Sequence, residues 1–132
     1  LDYPLEAECN TGGIHSSACE AAVAVRLARA ENRGPEMEEW LFANQALLTR
    51  DRVKGELAEI AQVTDFDARY AETLEAVRAD VQLGQKLQIT GTPTFFINGI
   101  RIESTLRASY FDAAIAHELE KALGPGSQAQ GT

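Results

Sequence analysis

The sequence predicts an α/β fold, and three observations predict it. Apolar residues recur at helical spacing from about residue 17 to 88, a β-hairpin signature occupies 91–102, and a last helical stripe covers 109–123. At 132 residues the chain fits one domain, 1–124, followed by a short polar tail at 125–132.

Leu1 to Leu5 is compatible with a strand ending near Pro4. Glu6 to Ser16 reads as a loop with Gly12-Gly13 at its centre. Ser17-Ala18-Cys19-Glu20 has capping-box spacing: the Ser17 hydroxyl can accept from the N–H of residue 20 while Glu20 reaches back. The helix that starts there places Ala18, Ala21, Ala22, Val25 and Ala28 on one face, and Asn32-Arg33-Gly34 ends it. Pro35 fits the first position of a second helix, with Glu36, Glu38 and Glu39 near its positive end and Met37, Trp40, Leu41, Leu47 and Leu48 as its buried side. Asp51 caps a third, in which Val53, Leu57, Ile60 and Ala61 follow the i, i+4, i+7, i+8 template, and which stops near Val63. Thr64 or Asp65 opens a stretch carrying Phe66, Tyr70, Leu74, Val77, Val81 and Leu87 on a drifting face, as one helix or as two broken near Thr73.

Thr94 to Ile97 is a β-branched and aromatic run, Asn98-Gly99 supplies the two positive-φ positions of a type I′ turn, and Ile100 to Ile102 returns as the partner strand. Gly91-Thr92-Pro93 puts a proline at the first residue of that strand, where its missing N–H is tolerated. Ser109 caps the last helix, whose core stripe is Phe111, Ala114, Ile115, Leu119 and Ala122, and Gly124-Pro125 stops it. The small, polar tail at 125–132 is expected to be disordered.

Charge excludes one class of partner. With 12 Lys+Arg against 20 Asp+Glu, a formal charge of −8 and a pI near 4.7, the chain lacks the basic footprint of a nucleic-acid binder. No run approaches the roughly 18 apolar residues of a membrane span, and no signal segment opens the chain. The first residue is Leu rather than Met, which suggests a processed or truncated product.

Candidate chemistry centres on Cys9 and Cys19, the only thiols. A structural disulfide would close a loop of about eleven residues and contribute roughly 3 kcal/mol. Alternatively Cys19, in the first turn of a helix whose dipole lowers a thiol pKa, is a redox-reactive thiolate, or the two cysteines are unconnected. A zinc site using Cys9, His15, Cys19 and Glu8 has suitable donor types but matches no usual ligand spacing. His15 alone reads as a solvent-facing loop residue and His117 as part of the polar side of the last helix. Trp40 with Met37, Leu41 and Phe42 reads as core packing, and Asp2 either as a surface residue or as a buried carboxylate near a redox site.

Gly91-Thr92-Pro93-Thr94-Phe95-Phe96-Ile97-Asn98-Gly99 resembles the cis-proline hairpin of thioredoxin-fold proteins, in particular the DsbA-like branch. Leu1 to Leu5 looks like the strand before that branch's helical insertion, here about 17–88, and Tyr110 to Leu123 like its terminal helix. More narrowly, Asp2-Tyr3-Pro4-Leu5 followed by Cys9-Asn10 and His15 to Ala22 is similar to the thioredoxin-like domains fused to bacterial vitamin K epoxide reductase homologues. The resemblance implies a cis Thr92–Pro93 bond, with Thr92 and Pro93 binding substrate backbone beside a catalytic Cys-x-x-Cys. The fused domains carry cysteines at places similar to Cys9 and Cys19, which favours the structural disulfide.

The Cys-x-x-Cys itself is absent, because in the family it precedes the segment that Leu1 to Leu5 resembles. The expectation is therefore a partial DsbA-like domain lacking the first strand and the start of the catalytic helix. Its function would be thiol:disulfide exchange on protein or peptide substrates, or with a membrane redox partner, in the periplasm or another extracytoplasmic space. No metal or organic cofactor is implied. The competing expectation is a thioredoxin-fold interaction module without catalysis, in which Cys9–Cys19 is only a staple.

Overall fold

The computed structural model describes residues 1–10, 15–104 and 106–123. The Gly12-Gly13 loop centre, the Gly124-Pro125 stop and the tail at 125–132 lie outside the described residues. The fold is mixed α/β, mostly helical with a two-stranded antiparallel sheet, and the chain divides into two units, Leu1–Gln88 and Ile89–Thr132.

The first unit is a helical assembly of α1 (Ala18–Ala30), α2 (Gly34–Ala43), a 3₁₀ turn (Gln45–Leu47), α3 (Arg50–Ala61) and α4 (Phe66–Lys86). α1 packs against α2, α3 and α4. A helix touched on three sides cannot bury one narrow alanine face. Its deepest residues are Cys19, Val23, Ala24, Leu27 and Ala28, while Ala18, Ala21 and Ala22 of the expected stripe are only half-buried. Asn32 takes the left-handed conformation that closes α1, with φ of 59°, and the Arg33 N–H donates to the Ala28 carbonyl at 2.8 Å. Immediately beyond, Gly34 lets α2 come close: a Cβ there would lie 2.4 Å from Arg29 Cγ.

α2 begins with Pro35 in its first turn, as expected, and buries Met37 and Leu41. Leu47, expected on the buried side, is 58% exposed, because α2 ends at Ala43 and the 3₁₀ turn rotates Leu47 away from the helix's apolar stripe. Thr49, not Asp51, caps α3, its hydroxyl accepting from the Arg52 N–H at 3.3 Å. Val53, Leu57 and Ala61 are buried. Gln62 then ends α3 with φ of 57°. α4 runs unbroken through Thr73 as 21 residues, burying Phe66, Tyr70, Leu74, Val77 and Val81 along one stripe. No glycine or proline interrupts that stripe before Gly84, so no local signal exists to break it.

The expected strand at Leu1–Leu5 is not formed. A strand exists only by pairing, and this segment directs its polar groups elsewhere. The Asp2 N–H donates to Asp80 Oδ2 at 2.8 Å, the Pro4 carbonyl accepts from Asn10 Nδ2 at 2.9 Å, and the Leu5 carbonyl accepts from the His15 N–H at 2.9 Å. Arg26 clamps the segment down, its Nε 2.6 Å from Asp2 Oδ2 and its NH2 2.5 Å from Asp80 Oδ2. Asp2 is thus a half-buried structural ion-pair partner.

The second unit holds β1 (Thr94–Ile97), β2 (Ile100–Glu103) and α5 (Ala108–Leu123). Asn98 and Gly99 have φ of 47° and 83°, both positive as the two-residue turn requires, and Ile97 pairs with Ile100. α5 begins at Ala108, so Ser109 lies inside it rather than capping it. Phe111 and Ala114 are half-buried, but Ile115 and Leu119 of the expected core stripe are 47% and 55% exposed, and Ala122 is exposed too. Two strands and one helix do not supply enough neighbours to cover both.

Candidate functional site

The hairpin entrance is built from Gly91 to Thr94. The Thr92–Pro93 bond is cis. The Thr94 hydroxyl donates back to the Gly91 carbonyl at 2.6 Å, closing the approach to β1, and the Pro93 carbonyl accepts from the Ser104 N–H at 3.2 Å. Because the two-residue turn makes Ile97 and Ile100 a hydrogen-bonded pair, the next such pair is Phe95 with Ile102. Thr94 and Phe96 therefore turn their backbone N–H and C=O away from β2, towards the edge of β1 that pairs with no other strand among the described residues. Thr92 and Pro93 are themselves exposed. Beneath the strand, Phe95 meets Phe111 of α5 edge to face, ring centroids 4.8 Å apart. Asn98 Nδ2 donates to Glu118 Oε2 at 3.2 Å, and the Lys121 ammonium, with Asn98 after it, holds the Glu118 carboxyl below its usual range.

Cys9 and Cys19 form a disulfide with Cα atoms 6.0 Å apart, and no described cysteine is free. Both are buried, at 5% and 0% exposure. The three alternatives are corrected by that bond: the two cysteines are not unconnected, Cys19 is not a free thiolate, and neither sulfur is available as a zinc ligand. No group of three or more His, Cys, Asp or Glu among the described residues is placed to hold a metal ion. His15 and His117 are exposed. Trp40 lies half-buried against the core with Met37 and Leu41 buried beside it, whereas Phe42 is exposed.

The surroundings of the disulfide hold residues that spacing did not reveal. The capping box is not made: Ser17 takes a left-handed conformation, φ 63°, and its side chain caps nothing. Glu6 does that work instead, its two carboxylate oxygens accepting from the Ser17 and Cys19 N–H groups at 2.9 and 2.7 Å. Glu20 is buried and turns to Arg50, Oε1 to NH1 3.5 Å. The Arg50 guanidinium lies over the Tyr70 ring, 4.0 Å from its centroid, and also meets Asp67 at 3.1 Å. Tyr70 donates its hydroxyl to Glu8 Oε2 at 3.0 Å. Burial first, and then that hydrogen bond, push the Tyr70 phenol well up from its ordinary range. Lys54 and Arg50, in that order, hold the Asp67 carboxyl below its usual range. These partners are separated by 11 to 62 residues, so no local pattern could have announced them.

Beside α1, a groove of about 640 Å³ runs between the first residues and the end of α2, lined by Tyr3, Pro4, Ala22, Val25, Leu41 and Phe42 among others. The site residues fall in both units: the cysteine pair in the first, Thr92 and Pro93 in the second. No helix among the described residues is long and apolar enough to cross a membrane. Comparison with protein-family models, with curated proteins and with solved structures returned no match.

Proposed function

We propose that this chain is the greater part of a DsbA-like, thioredoxin-fold thiol:disulfide oxidoreductase domain. One arrangement carries the reading: after a helical unit, Gly91-Thr92-Pro93 leads into a strand with an open edge, Asn98-Gly99 turns the chain back, and a final helix lies on the Phe95 side. An extended substrate peptide would run along that entrance, with Thr92 offering backbone hydrogen bonds and Pro93 fixing the backbone that offers them. The nucleophile is a Cys-x-x-Cys encoded ahead of Leu1, alternating between dithiol and disulfide through a mixed-disulfide intermediate. A buried disulfide in the same chain fits an oxidising, periplasmic or other extracytoplasmic compartment. The partners are protein thiols and disulfides or a membrane redox protein, and nucleic acid is not among them.

A second reading is favoured by one specific observation: both cysteines are spent in a single buried disulfide, so the chain holds no thiolate for exchange. On that reading it is an interaction module that binds a peptide at the hairpin edge without catalysis. An insulin-reduction assay on this chain, and on a version extended by the residues encoded upstream, separates the two. The first reading expects no useful turnover from the short chain and turnover from the extended one. An extended chain without activity favours the module, and turnover by the short chain that Cys19→Ser abolishes would overturn both.

A further inference from the structure

Cys19 is the second residue of α1, a place where N–H groups and the helix dipole ordinarily stabilise a thiolate. Here those groups are occupied. Glu6 accepts from Ser17 and Cys19 with its two oxygens, at 2.9 and 2.7 Å, and its main-chain carbonyl oxygen lies 3.9 Å from Cys19 Sγ. A Cys19 thiolate would therefore stand beside a carboxylate that has taken its hydrogen bonds. Like charge raises the pKa of a group that ionises by losing a proton. In the disulfide neither sulfur carries charge, and the conflict vanishes.

We propose that Glu6 sets the redox state of the Cys9–Cys19 pair, holding it as the disulfide by occupying the helix N–H groups that would otherwise stabilise a Cys19 thiolate. Reduction by a dithiol makes the step explicit. One thiolate of the reductant attacks Cys9 Sγ, the sulfur of the more exposed residue. The Sγ–Sγ bond breaks and its electron pair leaves on Cys19. The reductant's second thiol then displaces Cys9, so two electrons pass to the pair, two protons end on the cysteines and the reductant departs as a cyclic disulfide. Glu6 opposes the step at which Cys19 leaves as an anion, and so lowers both the rate and the extent of reduction. It is a positioning residue.

The test is Glu6→Gln, which keeps the shape but removes the charge and one acceptor oxygen. The other charged groups around the pair are retained: Glu20 on α1 faces Arg50 of α3, and Glu8, in the loop before α1, bonds Tyr70 of α4. Equilibration with dithiothreitol buffers at a pH above the Cys19 thiol's own pKa, where the reduced pair carries the thiolate, followed by alkylation and mass measurement, is expected to show a shift of about tenfold towards the dithiol. The ultraviolet absorbance of the Cys19 thiolate, titrated in a Cys9→Ala background, is expected to move about one pH unit lower, the same tenfold factor. Glu8→Gln is the control: it loosens the same loop without touching the helix N–H groups, and is expected to leave both readouts in place. Should Glu6→Gln lose its fold by circular dichroism, Glu6→Asp, whose carboxylate is drawn back by one methylene, is expected to shift both readouts the same way by less. Unchanged readouts in the folded Glu6 variant, or an equal shift in Glu8→Gln, overturn the proposal.

Discussion

Leu1–Gln88 and Ile89–Thr132 are made from the same kind of segment, amphipathic elements with a clear apolar face, yet the two bury very different amounts of it. Met37, Leu57, Phe66 and Val77 of the first are fully buried, whereas Ile115, Leu119 and Leu123 of the second are 47%, 55% and 67% exposed. Every buried residue among those described belongs to the first unit. Three helices gathered round α1 enclose side chains from several sides, while among the described residues two strands and one helix share one aromatic contact, Phe95 with Phe111. Periodicity thus tells that a segment has an apolar face. Whether that face is covered depends on how many elements surround it.

The sharpest way to break this contrast is a matched pair of truncations. Phe66→Ala removes a fully buried ring that also stacks near Tyr70, centroids 5.4 Å apart, and is expected to cost about 3–5 kcal/mol by urea unfolding. Ile115→Ala, on the exposed stripe of α5, is expected to cost about 0.5 kcal/mol. An Ile115 cost close to that of Phe66 would show that the second unit has a core of its own. Next in size is the disulfide: with a separation of 10 residues, changing both cysteines to Ala is expected to lower stability by roughly 3 kcal/mol. That loss should appear in hydrogen exchange of the first unit's amides and leave the hairpin amides unchanged.

The smallest effect concerns charge. Asp67 is held low first by Lys54 and then by Arg50, so its folded pKa is depressed. A depressed carboxylate contributes stability that is fully present above its unfolded value, near pH 4, and is lost as the pH falls through the folded value. The melting temperature of the wild type is therefore expected to drop slightly more steeply below pH 4 than that of Asp67→Asn. Asp67 is exposed, so the difference is small.

Much of the fold could be read from neighbours in the sequence. Val53, Leu57 and Ala61 of α3 and the long stripe of α4 are separations of three and four residues, and Asn98-Gly99 fixes the register of the hairpin by itself. What could not be read involves partners remote in sequence. The cap of α1 comes from Glu6 rather than from Ser17 and Glu20, because the covalent tie from Cys9 to Cys19 holds that loop over the helix start. The expected strand at Leu1–Leu5 gave way to a clamp by Arg26 and Asp80, whose strength depends on a carboxylate 78 residues away. At the candidate site, the hairpin entrance at Thr92 and Pro93 was legible as a motif, and the cysteine pair as one of several options. Of the carboxylates around that pair, Glu8 and Glu20 were legible only in other roles, and Glu6 was not legible at all.

Gly34 shows how a small residue can direct a large one. With no side chain of its own, it leaves room for the stem of Arg29 to fold across the corner between α1 and α2, a Cβ there lying 2.4 Å from Arg29 Cγ. From that corner the Arg29 guanidinium reaches Glu38 at 2.6 Å on one side and Asp2 at 3.7 Å on the other. A methyl group at position 34 would evict the stem, and both carboxylates would lose the cation they share. The bend between two helices is thus also a switchboard, in which an empty volume decides where a positive charge is delivered.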